Sequence, residues 1–138
     1  VVFHAFNQIS QTGQMNLFKS HNPEYKDGEQ LRDFIYVKDL VDVCIFLMEN
    51  RNHSGLYNLG TGKARTFVDL TKATFAALDK PEAIDYIDTP SDIRDKYQYF
   101  TEADMTKLKS IGYNKPFSRL EEGITDYVKN YLATRTYF

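Results

Sequence analysis

The most constraining feature of the sequence is an alternation of short and long apolar runs in its second quarter. Residues 33–37 are aromatic and β-branched, which predicts a short strand. Residues 40–48 are apolar nearly all round, so we expect a helix, capped by Asp39, that is buried on more than one side. Residues 56–59 predict a second strand, and Gly60-Thr61-Gly62 predicts a tight turn into the next helix. Strands that alternate with helices predict an α/β fold with parallel pairing.

The flanking segments carry further signals of the same kind. Apolar spacing over residues 2–9 predicts a helix that ends near Gly13, and a polar loop is expected over residues 21–30. Residues 84–87 predict a third strand. Three capping pairs predict helix starts, and they are Thr66 with Asp69, Thr101 with Asp104, and Ser118 with Glu121. The second of these helices should close at Gly112.

Composition excludes several function classes. At 138 residues and 42% hydrophobic content, the chain has the size of one domain with a real core. A net charge of −2 argues against a nucleic-acid-binding surface. No apolar run approaches the roughly 20 residues that cross a membrane. The single cysteine, Cys44, lies between Val43 and Ile45, so we expect a buried thiol, no disulfide and a cytoplasmic protein.

Three segments carry a resemblance to a known family. Two of them are Arg32-Asp33-Phe34-Ile35-Tyr36-Val37-Lys38-Asp39 and Gly55-Leu56-Tyr57-Asn58-Leu59-Gly60-Thr61-Gly62. These two resemble the C-terminal half of the extended short-chain dehydrogenase/reductases, the nucleotide-sugar epimerases and dehydratases. The third, residues 95–117, is similar more specifically to the ADP-glycero-manno-heptose 6-epimerases. The resemblance implies that residues 1–138 are a single C-terminal substrate-binding region of a Rossmann-type α/β enzyme.

The family's catalytic pair is missing from this chain. The family transfers protons with Tyr-x-x-x-Lys on one helix face, where the lysine lowers the pKa of the phenol. None of the ten tyrosines here has a lysine four residues later. Val1 is not an initiator methionine and stands inside a helical pattern. We therefore expect that the N-terminal dinucleotide-binding domain is absent, that the chain holds no catalytic residue, and that it is inactive alone.

Cofactor and metal signals are weak. Gly60-Thr61-Gly62 has the first two glycines of a dinucleotide fingerprint, but Arg65 stands where the third glycine is needed. The three histidines are scattered, so no set of metal ligands is spaced for binding. We predict no metal site and no cofactor-binding residue here. The resemblance implies NADP as the cofactor of the parent enzyme, held mostly by its missing N-terminal part.

The resemblance assigns a substrate contact to Arg32. It matches an arginine that contacts the nucleotide sugar in the family, and a planar guanidinium suits a pyrophosphate because its donors bind oxygens in pairs. The alternative is a surface arginine paired with Asp33 or Glu29.

Other binding residues follow from the same resemblance. Tyr97 matches a substrate-contacting tyrosine, with a core aromatic as the alternative. His4 matches a substrate-contacting histidine, with a helix-face histidine without ligand as the alternative. The segment that aligns with the family's nucleotide-lining loop is Phe18-Lys19-Ser20-His21. Here it lacks the usual acidic-Gly-Ser character, and the loop after it is longer.

The function implied is binding of an ADP-sugar for an NADP-dependent isomerase of lipopolysaccharide core precursor synthesis. Two alternatives stay open: a part of another nucleotide-sugar epimerase or dehydratase, and a non-catalytic nucleotide-sugar-binding module. With most of the parent's sheet missing, the apolar helix over residues 40–48 should leave surface uncovered. We therefore expect association through this helix, as a homo-oligomer, and no nucleic-acid or membrane partner.

Overall fold

The computed structural model describes residues 1–136, in which helices and short strands are mixed. The helices are α1 (Val2–Thr12), α2 (Val37–Glu49), α3 (Phe67–Ala77), α4 (Ser91–Arg94), α5 (Thr106–Ser110) and α6 (Leu120–Tyr127). A 3-10 turn at Arg51–His53 follows α2, and a π-helical turn at Val128–Leu132 extends α6. The strands are β1 (Met15–Phe18), β2 (Leu31–Arg32), β3 (Arg65–Thr66) and β4 (Ile84–Ile87). The predicted α/β class is confirmed.

The strands form two separate pairs. β1 lies parallel to β4, with Met15 opposite Ile84 and Phe18 opposite Ile87. β2 lies antiparallel to β3, with Leu31 opposite Thr66. The third predicted strand and the parallel pairing are therefore confirmed. Neither β1 nor the short β2–β3 pair was predicted, because β1 has no β-branched residue and strands of two residues are too short to show an alternation.

Two helix boundaries follow the predicted local chemistry. Gly13 takes a left-handed φ of 76° and its N–H donates to the Ile9 carbonyl, which ends α1. At the start of α3, the Asp69 N–H donates to Thr66 Oγ1 at 2.9 Å and the Thr66 N–H donates back to the Asp69 carboxylate at 3.2 Å. Both predictions hold because each motif depends only on residues three or four positions apart.

Two apolar clusters form the interior. The first core joins α1, β1, α3 and α6 through Ala5, Ile9, Met15, Leu17, Leu70, Ala73, Phe75, Ala77, Ile124 and Val128. The second core is smaller and lies between α2 and α5, with Val43, Met105, Leu108 and Tyr113 buried. The two cores differ in size, and α2 contributes Val43 to the smaller one.

The predicted strand over residues 33–37 is wrong. The strand pairing stops at Arg32, the carboxylate of Asp33 turns into a neighbouring loop, and Val37 already begins α2. Asp39 is not the N-cap, since Tyr36 holds that position with extended backbone. Asp39 lies in the first helical turn instead, and its carboxylate accepts hydrogen bonds from the Ser118 N–H at 2.8 Å and hydroxyl at 3.0 Å.

The predicted burial of residues 40–48 on more than one side is also wrong, whereas the uncovered surface expected in this chain is confirmed. Val43 is buried, but Val41 and Ile45 are each 47% exposed and Met48 is 68% exposed. Cys44 is exposed too, contrary to prediction. Successive helical residues point about 100° apart, so the neighbour of a buried residue can face outward.

The predicted strand over residues 56–59 does not form. This segment has no regular secondary structure, and Leu56 is 87% exposed. A strand exists only when a neighbouring chain takes its backbone hydrogen bonds. Within the described residues, no strand pairs with this segment.

Two of the three predicted capping pairs are wrong. The N-cap of α6 is Arg119, whose N–H donates to Glu122, while Ser118 bonds Asp39 as described above. Helix α5 begins only at Thr106, because the Thr101 N–H donates to the Leu31 carbonyl instead. Long-range partners displaced the local motif in both cases.

Candidate functional site

Asp33 is the centre of a loop-binding cluster. One carboxylate oxygen accepts hydrogen bonds from the Thr61 N–H at 2.7 Å and the Thr61 hydroxyl at 2.6 Å. The other accepts from the Gly62 N–H at 2.9 Å and the Ala103 N–H at 3.0 Å. Partial burial raises the pKa of Asp33, but these hydrogen bonds outweigh it and hold the pKa below its usual value. The carboxylate therefore joins three segments that are distant in sequence.

This cluster explains the glycine-rich turn. A side chain at Gly60 would collide with the Asp33 carboxylate and with the Ala103 methyl group, and Gly62 has a φ of 70°. Backbone N–H groups of this kind bind phosphate in nucleotide-binding loops. Here Asp33 takes them, so the turn does not fit a dinucleotide pyrophosphate. Its role is to hold the loop against Asp33.

Arg32 is held by backbone carbonyls and aromatic rings. One terminal nitrogen donates to the Leu31 carbonyl at 2.7 Å and the other to the Gln98 carbonyl. The guanidinium carbon lies 5.7 Å from the centre of the Tyr97 ring and 5.8 Å from that of Phe67. In the described part of the chain, Arg32 forms no ion pair with Asp33 or Glu29, the alternative left open by the sequence.

Tyr97 lies in an aromatic group beside Arg32. Its ring meets Phe18 edge-on at 6.1 Å and Tyr99 at 5.6 Å between centroids. The side chain is half-buried, and burial raises the pKa of its phenol despite the opposing charge of Arg32. The Leu31 N–H donates to the Tyr99 carbonyl at 2.8 Å, which brings residues 97–101 alongside β2. Tyr97 is thus both a packed aromatic residue and part of the surface around Arg32.

The segment from Phe18 to His21 borders the same group. Phe18 ends β1, and the Lys19 N–H continues the pairing by donating to the Ile87 carbonyl at 2.8 Å. The Lys19 ammonium lies 3.1 Å from Asp88 and lowers the pKa of that carboxyl. The Ser20 N–H donates to Asp27 at 2.7 Å.

The site residues predicted from sequence fall into two places. The structure brings together Phe18, Lys19, Ser20, His21, Arg32 and Tyr97. His4 lies elsewhere, exposed on α1, where its ring meets Phe3 at 5.8 Å. Nothing in the described residues connects His4 with the Arg32 group. Its assignment as a substrate contact therefore stays a prediction.

Sequence reasoning missed Tyr99. Its phenol oxygen accepts a hydrogen bond from the His21 N–H at 2.9 Å, and its ring meets Tyr25 at 5.3 Å and Tyr97 at 5.6 Å. A signal was present, since residues two apart in an extended chain share one face and Tyr97 lies two positions before Tyr99. Its partners 74 and 78 positions away were not visible in the sequence.

A second polar cluster lies at the start of α2. Asp126 accepts hydrogen bonds from Lys38 at 2.8 Å, from the Tyr36 hydroxyl and from the Asn130 amide. Together these hydrogen bonds lower the pKa of Asp126 to about 2. Burial and the nearby carboxylate raise the pKa of Tyr36 to about 12. The cluster borders an open cleft of about 500 Å³ that Phe3 and Phe6 also line. It ties α2 to α6.

Two classes of site are not found in residues 1–136. No helix there has the length and apolar character needed to cross a bilayer. No three or more His, Cys, Asp or Glu side chains there are grouped so that they could hold a metal ion.

Comparison with known proteins first places the architecture. Residues 1–60 match the model of the NAD dependent epimerase/dehydratase family. The fold is similar to the ADP-L-glycero-D-manno-heptose-6-epimerase structure from Helicobacter pylori, with a TM-score of 0.71 and 26% identity over 94% of this chain and 36% of that one. It also resembles a UDP-N-acetylglucosamine 4-epimerase from Methanobrevibacter ruminantium, with a TM-score of 0.76 and 23% identity over 97% of this chain and 39% of that one. The fold is therefore similar to part of the Rossmann-type epimerase and dehydratase structures.

Curated relatives define the resemblance more closely. The chain is 53% identical, over 96% of its length, to ADP-L-glycero-D-manno-heptose-6-epimerase of Fusobacterium nucleatum, and covers 42% of that protein. It is 52% identical, again over 96% of its length, to the enzyme of the same name from Nitratidesulfovibrio vulgaris, and covers 41% of it. The resemblance to part of the ADP-heptose 6-epimerases, predicted from residues 95–117, is confirmed. The chain spans about two fifths of the length of these isomerases.

Proposed function

We propose that this chain is the nucleotide-sugar-binding part of an ADP-heptose 6-epimerase, and that Arg32 binds the pyrophosphate. The observation that carries the proposal is the guanidinium held over Tyr97 by two backbone carbonyls. A guanidinium has five N–H donors, and two of them are used here, so three remain for an anion. An arginine without a carboxylate partner keeps its charge available for a phosphate.

The surroundings of Arg32 suit a nucleotide. Phe18 and Tyr97 offer aromatic rings to a ligand, and Lys19, which follows Phe18 in the chain, is paired with Asp88. Aromatic and apolar walls with a few placed polar groups are the common composition of small-molecule sites. We include Ser20, His21 and His4 among the proposed substrate-binding residues, as the family resemblance implies.

The proposal separates binding from chemistry. The chain has no Tyr-x-x-x-Lys, and its glycine-rich turn is occupied by Asp33. We propose that the acid, the base and the NADP cofactor belong to a dinucleotide-binding domain of a longer protein, and that this chain alone is inactive. Positioning of the sugar is the contribution expected of the present residues, because fixed orientation lowers the entropic part of the barrier.

The cellular setting follows from the same proposal. An ADP-heptose 6-epimerase serves carbohydrate metabolism, in the synthesis of the lipopolysaccharide core precursor. We place the protein in the cytoplasm, since the exposed, unpaired thiol of Cys44 is kept reduced there. The exposed apolar face of α2 supports a homo-oligomer or a contact with another domain through Val41, Ile45 and Met48.

Binding of ADP and an ADP-sugar to the chain, measured by isothermal titration calorimetry, tests the proposal. The Arg32→Ala variant should weaken ADP binding at least tenfold, because it removes a charged pair of donors. Arg51→Ala is the matched control, since Arg51 is an exposed arginine in the 3-10 turn and should leave binding unchanged. Equal affinity of the Arg32→Ala variant and the wild type would overturn the proposal. Tighter binding of UDP or dTDP than of ADP would instead favour another nucleotide-sugar enzyme.

A further inference from the structure

Tyr99 connects the loop after β1 with the aromatic group beside Arg32. Its phenol oxygen accepts the His21 N–H at 2.9 Å, and its ring lies between those of Tyr25 and Tyr97. Its carbonyl oxygen accepts the Leu31 N–H at 2.8 Å. The residue is half-buried. One side chain thus contacts the loop at two points, from a backbone that is itself paired with β2.

The rest of the loop is closed independently at its base. The Gly28 N–H donates to the Phe18 carbonyl at 3.3 Å, and the Ser20 N–H donates to Asp27 at 2.7 Å. Gly28 has a φ of 74°, and a side chain there would approach Val68 to 2.7 Å. The base therefore needs glycine, whereas the outer part of the loop rests on Tyr99 through His21 and Tyr25.

We infer that Tyr99 is a positioning residue, which fixes the outer part of the loop, at His21 and Tyr25, beside Tyr97 and so sets the affinity for the nucleoside end of the ligand. The inference rests on the proposed function and deepens it. Tyr99 acts through His21 and Tyr25. Pyrophosphate recognition stays with Arg32, which is held by other groups.

The physical reason is the cost of ordering a loop. A loop already held by a hydrogen bond and a ring contact loses less conformational freedom when a ligand binds to it. Removing the phenol oxygen frees the His21 N–H, and the loop then samples more conformations in the unbound state. Loss of one such hydrogen bond corresponds to roughly a fivefold change in affinity.

The test compares two ligands with the full chain. Calorimetry with ADP and with inorganic pyrophosphate is run on the wild type, Tyr99→Phe and Tyr57→Phe. Tyr57→Phe is the matched control, because it also removes a phenol hydrogen bond, to the His53 carbonyl at 2.6 Å, but beside the second core. We expect Tyr99→Phe to weaken ADP roughly fivefold and to leave pyrophosphate unchanged. Tyr57→Phe should change neither.

Amide hydrogen exchange of His21, followed by NMR, supplies a readout that general destabilisation does not reproduce. In Tyr99→Phe the His21 amide should exchange at least tenfold faster, while amides of α3 keep their wild-type rates. Tyr25→Leu removes the ring on the other side of Tyr99, so it should also weaken ADP and spare pyrophosphate. This second variant keeps the test decisive if Tyr99→Phe is poorly folded.

The outcomes separate the inference from the proposed function. If Arg32→Ala weakens ADP but Tyr99→Phe and Tyr25→Leu bind it like the wild type, the positioning role is overturned and the binding function stands. Equal weakening of ADP and pyrophosphate by Tyr99→Phe also overturns it. If the wild type binds neither ligand, the proposed function fails, and the inference fails with it.

Discussion

The two apolar cores show how differently one chain can satisfy its hydrophobic pattern. In the first core, elements close around Ile9, Phe75 and Val128, each of which is 0% exposed. In the second core, α2 buries Val43 but leaves Ile45 and Met48 in solvent. The apolar pattern of α2 exceeds what this chain can cover. Apolar surface that the chain cannot cover by itself indicates a contact with another domain or subunit.

Asp33 connects the two regions. It precedes Phe34, which packs against the first core, and it binds Ala103, which packs against the second. Its carboxylate also holds the turn at Thr61 and Gly62. The junction between the cores is therefore polar, and its geometry depends on one side chain with four donors.

The largest expected effect contrasts equal substitutions in the two cores. Phe75→Ala should lower the free energy of unfolding by about 4 kcal/mol, because it opens a cavity in the closed first core. Phe46→Ala, at the partly buried edge of the second core, should cost about 2 kcal/mol, since the site is half open to water. Urea unfolding followed by circular dichroism measures both. Equal losses would break the distinction between the cores.

The next effect concerns the junction. Asp33→Asn should cost about 2 kcal/mol, because an amide cannot accept all four hydrogen bonds and leaves partly buried donors unpaired. Asp79→Asn is the control, an exposed carboxylate at a positive φ of 54° that asparagine also adopts. Chemical unfolding at pH 7 gives both values. If Asp79→Asn lowers the free energy of unfolding as much as Asp33→Asn does, the four hydrogen bonds of Asp33 do not specially stabilise the junction.

The same carboxylate predicts a pH dependence. Because the folded-state pKa of Asp33 lies below its ordinary value, its stabilisation is complete above the unfolded pKa of about 3.9 and is lost as the pH falls through the folded pKa. On acidification from about pH 5 to about pH 3, the wild type should therefore lose more of its free energy of unfolding than Asp33→Asn does. Parallel pH profiles of the two proteins would contradict this.

A smaller effect is expected where α2 meets α6. Asp126→Asn should cost no more than about 1 kcal/mol at pH 7, since the Lys38 pair is open to solvent and screened. With a folded pKa of about 2, Asp126 stabilises fully above about pH 4 and loses this effect on further acidification. Unfolding at pH 7 and near pH 3 should show the variant approaching the wild type. A constant difference would mean that the contact acts through shape and not through charge.

The smallest effect on stability should accompany a clear effect on association. The double variant Ile45→Lys with Met48→Lys should change the free energy of unfolding by less than about 0.5 kcal/mol, because both side chains are exposed. Sedimentation velocity should show association of the wild type and a 16.0 kDa monomer for the variant. Lys129→Glu, at another exposed position, serves as the charge control. A monomeric wild type would show that α2 does not drive association of this chain.

Helix boundaries whose hydrogen-bond partners are close in sequence were predicted correctly, whereas those whose residues bond distant partners were not. The end of α1 at Gly13 and the capping box of Thr66 and Asp69 were predicted correctly, because the groups that form them are close in sequence. Ser118 failed as a cap because Asp39, 79 positions away, takes its hydrogen bonds. The strand expected at residues 56–59 failed for a related reason, since its backbone finds no pairing strand among the described residues.

The candidate site divides in the same way. The sequence by itself determined the α/β class, because hydrophobic periodicity and helix caps act locally. Its proposed binding residues rest on the family resemblance. Only the tertiary structure decided that Arg32 rests on Tyr97, that Asp33 occupies the glycine-rich turn, and that Tyr99 holds the loop at His21. These contacts join residues from 29 to 78 positions apart, so they depend on chain packing that no local pattern encodes.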